Sequence, residues 1–229
     1  MSAAHGTLTV AFRATNEKWA QMAAAAAWQL CGHGMPEVVK IVRYDAGKGR
    51  KERYSSGYEA LLPVETDWLL SIDADSHVYG DVRELVRGAE ERGALVALRE
   101  SPLQQKARVG WRQDRYEELF GWGRPYRSLG TTCAFLLHQR RAISVLANVE
   151  ECRQTIDQGA PLADVYHHAQ VAFALVLASA GIGEEVTWWL GPEQVSFTGE
   201  PHGIIHHEGL RLYKSPIVAV SEGNKEVLP

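Results

Sequence analysis

The chain has 229 residues, 45% of them hydrophobic, and a formal net charge of -4 at pH 7. A chain of this length can bury a sizeable core, and its slight acidity excludes the strong overall basic charge typical of proteins whose main ligand is nucleic acid. Its three cysteines are widely spaced, which argues against a disulfide framework or a zinc site and favours a reducing, cytoplasmic location. No stretch approaches the roughly 18 apolar residues of a membrane span, so no transmembrane segment is expected.

The N-terminal half alternates between strand and helix patterns. Leu8 to Phe12 is an apolar run typical of a buried strand, and Asn16 is placed to cap a helix that ends near Gln29. Further strands are predicted at residues 38–42, 68–72 and 94–98, and further helices at residues 51–62 and 81–91. Strands that alternate with helices indicate an α/β protein with a mainly parallel, doubly wound sheet flanked by helices.

The C-terminal half continues this pattern after an interruption. Between Arg99 and Ser128, glycine and proline interrupt a segment rich in arginine and aromatic residues, which predicts a loop that covers the substrate. Beyond it, strands are predicted at residues 131–137, 186–190 and 203–206, and helices at residues 141–153 and 166–180. The α/β pattern therefore spans most of the chain.

An acidic pair, Asp73 and Asp75, follows the third apolar strand of the N-terminal half. Residues two apart in an extended segment project to the same side, so both carboxylates can face one small ion. Two carboxylates are too few for an all-protein cage, but they suit Mn²⁺ or Mg²⁺, whose other positions are filled by water and phosphate oxygens. The pair therefore predicts a metal site with a phosphate-bearing partner, and the alternative is a capped turn before Asp81.

The sequence around this pair, WLLSIDADSHVYGDV from Trp68 to Val82, resembles the strand, DxD and Gly-Asp segment of GT-A glycosyltransferases, particularly the glycogenin-like retaining family. The resemblance implies that Asp75 binds a metal and that Asp73 binds the metal or the nucleotide ribose. That family also has a late histidine ligand in a setting that residues 204–209, IIHHEG, resemble with His206 in the ligand position. The alternatives His202 and His207 remain open, because His207 stands where the family has an aromatic residue.

A second resemblance concerns the C-terminal half. Residues 130–141, GTTCAFLLHQRR, followed by Asp164 and a helix ending near Gly181, look like the acceptor half of the large inverting GT-A family that includes cellulose-synthase-like and rhamnosyl enzymes. This resemblance implies that Asp164 is the catalytic base, although an aspartate there is also a common helix N-cap. Gln170, nearly two turns later, is a candidate contact to the donor sugar or else a solvent-facing polar residue.

Other residues have both a functional and an ordinary interpretation. Thr15 and Asn16 follow the first strand, where nucleotide bases are commonly held, and Arg53 is a candidate contact to a diphosphate. A capping turn and a solvated basic patch explain these residues equally well. His77 extends the acidic pair to an Asp-x-Asp-x-His pattern, but Val78 and Gly80 indicate that the strand has already ended, so His206 is preferred as the ligand.

Together these features predict one GT-A, Rossmann-like α/β domain over residues 1–229, with a nucleotide-binding half at about 7–98, an acceptor half at about 99–214 and a tail at 215–229. The expected activity is metal-dependent transfer of a sugar from a nucleoside diphosphate sugar, with UDP as the favoured carrier, to an unidentified acceptor, for which a carbohydrate or lipid is favoured over a modified nucleic acid. One alternative is a phosphohydrolase of the haloacid-dehalogenase type with Asp73 as nucleophile and Asp75 as acid. The other alternative is a sugar-nucleotide-binding protein without turnover.

Overall fold

The structure, a computed structural model, describes residues 5–44, 57–100, 130–158 and 168–208. The first half of the helix predicted at 51–62, nearly all of the substrate-covering loop and the C-terminal tail therefore lie outside the described residues. In chain order the described elements are β1 (Leu8–Ala14), α1 (Glu17–Gln29), β2 (Val38–Arg43), β3 (Trp68–Asp73), β4 (Ser76–Val78), α2 (Arg83–Glu91), β5 (Val96–Glu100), β6 (Gly130–His138), α3 (Gln139–Leu146), α4 (Val149–Gln158), α5 (His168–Ser179), β7 (Thr187–Leu190), β8 (Val195–Phe197) and β9 (Ile205–His207). Short 3-10 turns lie at Leu30–Gly32, Glu59–Leu61 and Glu184–Val186.

A six-stranded sheet with the order β2-β1-β3-β6-β5-β7 forms the centre of the fold. The β1–β2, β1–β3 and β5–β7 pairs are parallel, whereas β6 runs antiparallel to both of its neighbours, β3 and β5. The predicted α/β class and mainly parallel sheet are therefore confirmed. The reversed direction of β6 was not predicted, because an apolar run indicates a strand without indicating its direction.

Helices cover both faces of this sheet, and successive strand residues contribute to different cores. Val10 and Phe12 pack in a cluster with the buried residues of α1 and α2, while Ala11 belongs to a cluster with α3, α4 and α5. Burial on both faces explains why the strands are apolar runs. Within the described residues, no helix is both long enough and apolar enough to cross a bilayer.

Local signals account for the ends of several helices. Asn16 caps α1 as predicted, since its Oδ1 accepts a hydrogen bond of 3.1 Å from the backbone nitrogen of Trp19. The single helix predicted at 141–153 is instead two helices, α3 and α4, and that prediction was wrong. The break falls before Val149, where the Asn148 side chain donates to the Ser144 carbonyl, because asparagine offers the backbone an alternative to helical bonding.

A second, three-stranded sheet with the order β4-β9-β8 adjoins the end of β3. β9 pairs antiparallel with β4 and parallel with β8. The predicted strand at 203–206 exists as β9, whereas β4 and β8 were not predicted, because three residues are too few to show a period. This small sheet brings the C-terminal part of the described chain to the end of β3.

Candidate metal centre

Asp73 and Asp75 lie where the two sheets meet. Asp73 is the last residue of β3, and β4 begins at Ser76, directly after Asp75. In the register of β4 against β9, Ser76 lies opposite His207. The His207 ring is therefore beside the acidic pair, with Nδ1 3.3 Å from Asp75 Oδ1 and 3.1 Å from Ser76 Oγ.

Asp73, Asp75 and His207 each offer one ligand atom, and these atoms lie within 4.8 Å of one another. In the part of the chain that the structure describes, no other three His, Cys, Asp or Glu side chains have this spacing. Two carboxylates and one imidazole suit a divalent cation, and the nitrogen ligand favours Mn²⁺ over the harder Mg²⁺. The chemistry of these donors therefore fits the predicted metal.

Charges within the group shift the pKa values of its members. Burial lowers the pKa of His207, but its hydrogen bond to Asp75 and the charges of Asp75 and Asp73 outweigh burial, so the net pKa is raised. Burial raises the pKa of Asp75, but His207 outweighs it, so that pKa is lowered. Burial raises the pKa of Asp73, while the Arg13 guanidinium opposes that rise. Asp75 and His207 thus form a coupled pair beside Asp73.

Arg13 is a part of this site that the sequence did not predict. It lies opposite Asp73 in the β1–β3 register, and its Nη2 donates to Asp73 Oδ1 at 2.5 Å and to the Thr132 carbonyl. Its guanidinium carbon lies 5.0 Å from the ring centre of Tyr58 and 5.6 Å from that of Phe135. Only 5% of the Arg13 side chain is exposed, against 34% of the Asp73 side chain. The available signal was a single charged residue directly after the apolar run from Leu8 to Phe12.

The charge around Arg13 keeps it protonated. Burial lowers the pKa of Arg13, but the Asp73 carboxylate and the nearby tyrosines raise it, and the net direction is upward. Tyr44, which follows β2, is also near the site: burial raises its pKa to about 12, against the opposing charge of Arg13 and with help from Asp73. Its hydroxyl is therefore a neutral hydrogen-bond donor at this edge of the sheet.

His206, the predicted ligand, lies on the other face of β9. Its Nδ1 is 2.8 Å from Ser196 Oγ, and its ring centre is 4.3 Å from that of His202. His77 lies opposite His206 in the β4–β9 register, and the exposed Tyr79 stacks on His202 with 4.4 Å between ring centres. The structure thus gathers His206, His202 and His77 on one face of the small sheet, and places His207 on the face toward the acidic pair.

The remaining predicted residues have different placements. Thr15 and Asn16 follow β1, at the same edge of the main sheet as Asp73, and the Asn16 side-chain oxygen is used by the helix cap. Gln170 lies in the first turn of α5, and its Oε1 is buried without a hydrogen-bond partner among the described residues. Asp164 and Arg53 lie outside the described residues.

Three solved structures similar in fold to this chain are glycosyltransferases, whereas no protein-family model and no curated protein matches the sequence. The galactosyltransferase LgtC, in complex with donor and acceptor sugar analogues, is 9% identical, with 96% of this chain and 97% of LgtC covered and a TM-score of 0.54. Apo mouse xyloside xylosyltransferase 1 is 15% identical, with 90% and 98% covered and a TM-score of 0.51. A glycosyltransferase involved in glycosylation of the major capsid of PBCV-1 is 10% identical, with 88% and 93% covered and a TM-score of 0.54.

These similarities confirm the predicted GT-A fold. They extend over nearly the whole length of each of the three structures, so the likeness is not confined to the half that the sequence predicts to bind the nucleotide. At such low identity a shared fold does not transfer an activity, which has to be argued from the site.

Proposed function

We propose that this protein is a metal-dependent glycosyltransferase that moves a sugar from a nucleoside diphosphate sugar, with UDP as carrier, to a carbohydrate or lipid acceptor. The observation that carries the proposal is the convergence of Asp73, Asp75 and His207 at the carboxyl edge of the main sheet. Open α/β sheets bind their ligands at that edge. The glycosyltransferases that share the fold support the same conclusion.

In this proposal the metal ligands are Asp73, Asp75 and His207, with His207 in place of the predicted His206. An imidazole nitrogen next to two carboxylates suits Mn²⁺ best and Mg²⁺ second. A bound cation offsets the negative charge that develops on a diphosphate leaving group. His206 is a poorer candidate because it lies on the opposite face of β9, where its Nδ1 contacts Ser196 and no carboxylate of the acidic pair.

The chain's own residues have separate roles in this scheme. Thr15 and Asn16 hold the nucleotide base or ribose at the end of β1, and Arg53 contacts the diphosphate. Gln170 contacts the donor sugar, since its Oε1, which has no hydrogen-bond partner among the described residues, is available to a hydroxyl group. Asp164 takes the proton of the acceptor if the anomeric configuration is inverted.

The proposed organisation follows the sequence-based division. Residues at about 7–98 bind the nucleotide, and residues at about 99–214 receive the acceptor, within one domain and ahead of a tail at 215–229. A cytoplasmic location is part of the proposal, because Cys31, Cys133 and Cys152 are all free thiols.

A panel of nucleoside diphosphate sugars, assayed with Mn²⁺, Mg²⁺ or a chelator, tests the activity. We expect slow hydrolysis of at least one donor to free sugar and nucleoside diphosphate, because water replaces the missing acceptor. We also expect the same donor to raise the unfolding temperature only when metal is present, since a ligand of the native state stabilises it. Release of inorganic phosphate without free sugar would instead indicate the phosphohydrolase, and donor binding without any sugar release would indicate a binding protein.

A further inference from the structure

Arg13 forms a buried, fixed cation directly behind the acidic pair. Nη2 is shared between Asp73 Oδ1 and the Thr132 carbonyl, so the guanidinium is held by a side chain on one strand and by the backbone of another. The rings of Tyr58 and Phe135 contact it as well. These contacts commit one oxygen of Asp73 to Arg13 and leave the other oxygen for a ligand.

A charge at this position is not needed for packing. A buried ion pair contributes little net stability compared with apolar residues of similar volume, because both charges lose their hydration. The two aromatic rings beside Arg13 would accommodate an apolar side chain such as methionine. The guanidinium is therefore better explained by what its charge does to the neighbouring site.

The charge balance of the site depends on Arg13. With both carboxylates ionised and His207 neutral, Asp73 and Asp75 together carry two negative charges, and Arg13 removes one of them. A free divalent cation then brings more positive charge than the site can neutralise. A cation that is bound to a diphosphate leaves no such excess of positive charge, because the phosphates supply the missing negative charge.

We propose that Arg13 is a positioning residue that sets the order in which the site fills. This inference rests on the proposed function, because it requires that the site binds a divalent cation and a nucleoside diphosphate. By holding Asp73 and cancelling one negative charge, Arg13 weakens the binding of the free cation and strengthens the binding of the metal-free diphosphate. The cation and the nucleotide therefore enter together, and a site without donor binds the free cation only weakly.

The variant Arg13→Met tests this inference through two affinities that it should change in opposite directions. We expect the affinity for free Mn²⁺, measured by calorimetry without nucleotide, to rise by about tenfold, because one unit charge a few ångströms away is removed. The affinity for UDP in the presence of a chelator, measured by NMR titration, should fall by about tenfold. A merely structural role of Arg13 would lower both affinities, and that result would overturn the inference.

Arg13→Met leaves the Asp73 carboxylate without its cation, and an unpaired carboxylate at this position opposes folding. A second pair of variants avoids this problem. Asp73→Asn keeps Arg13 with one carboxylate fewer, and the double variant Arg13→Met/Asp73→Asn removes both charges of the pair. The double variant should bind free Mn²⁺ about tenfold more tightly than Asp73→Asn alone. Equal or weaker binding by the double variant would overturn the inference.

Arg13→Lys keeps the charge and should leave the affinity for free Mn²⁺ within about threefold of the wild type. A rise as large as that of Arg13→Met would contradict the role of charge. The wild-type measurements separate the two proposals: if the wild type binds neither UDP with Mn²⁺ nor free Mn²⁺, the proposed function fails and the inference fails with it. If the wild type binds both and Arg13→Met weakens both, only the inference fails.

Discussion

On one face of β9 the His207 imidazole lies among carboxylates, and on the other face the His206 imidazole lies among aromatic rings. His207 contacts Asp75 and Ser76, and its net pKa is raised. Burial and the nearby His202 lower the pKa of His206. Two adjacent residues of the same type thus have opposite electrostatic surroundings because neighbouring side chains of a strand project to opposite faces.

The register of β9 against β4 therefore decides which of the two histidines can be a ligand of the proposed metal. A shift of one residue would exchange the two faces and place His206 beside Asp75. The two faces also provide matched controls, since Asp75, His207 and Ser76 have counterparts of similar chemistry near the other face, namely Glu208, His206 and Ser196. The predictions that follow compare such counterparts, and the expected effects decrease from one prediction to the next.

The largest effect is expected for Asp75→Asn, which should reduce Mn²⁺-dependent donor affinity by at least about 100-fold because an amide oxygen is a much weaker ligand than a carboxylate. Glu208→Gln, near His77 on the other face, is the matched control and should stay within about twofold. Calorimetric titration of donor with Mn²⁺ measures both variants. Equal donor affinity with Mn²⁺ and with a chelator in the wild type would rule out the metal site.

The second comparison substitutes the two histidines themselves. His207→Ala should weaken Mn²⁺ binding by about 10- to 100-fold and reduce the preference for Mn²⁺ over Mg²⁺, because a nitrogen ligand is lost. His206→Ala should change both by less than about threefold, since its ring lies on the far face. Mn²⁺ titrations followed by paramagnetic relaxation of water protons measure this difference. A larger loss for His206→Ala than for His207→Ala would restore the sequence-based assignment.

Local patterns were enough to predict much of the fold. The apolar run at Leu8 to Phe12, the cap at Asn16 and the acidic pair after β3 each depend on a few consecutive residues, and the structure places all of them as predicted. The choice between His206 and His207 depends on pairing with a strand 131 positions away. Ile204 and Ile205 precede them, so alternation of apolar and polar residues gives no guidance to the face.

Arg13 was missed for a related reason. The sequence shows a charged residue at the end of an apolar strand, where a solvated position is equally reasonable. Its role depends on three partners from other elements: Asp73 of β3, Thr132 of β6 and Tyr58. Such a partnership becomes visible only when the strand order β1-β3-β6 is known.

The third comparison concerns the hydroxyl groups that contact each histidine. Ser76→Ala removes the hydroxyl group 3.1 Å from His207 Nδ1 and should weaken Mn²⁺ binding by about three- to tenfold, because a residue that orients a ligand is lost. Ser196→Ala removes the equivalent contact to His206 and should leave Mn²⁺ binding within about twofold. Calorimetric titration of Mn²⁺ into each of the two variants measures these losses. Equal losses in the two variants would indicate a general disturbance of the small sheet.

The smallest effect is expected in the pH dependence of stability with a chelator present. The folded-state pKa of His207 is raised above its ordinary value of about 6.5, so its stabilising contribution is fully present below that value and is lost as the pH rises through the raised pKa. The pKa of His206 is lowered, so its protonation opposes folding, and the wild type loses stability as the pH falls below about 6.5 toward that lowered pKa.

The two alanine variants should therefore differ from the wild type in opposite ways. The stability deficit of His207→Ala should be larger at about pH 5.5 than at about pH 9, whereas His206→Ala should gain relative to the wild type at about pH 5.5. For a chain of this size each change corresponds to about 3–5 °C in unfolding temperature per pKa unit. Thermal unfolding followed by circular dichroism at the two pH values measures the difference in unfolding temperature between each variant and the wild type. The acid sensitivity that the variant and the wild type share cancels in this difference. Shifts of the same sign for both variants would show that the two faces of β9 do not differ in charge, because only opposite pKa shifts produce opposite slopes.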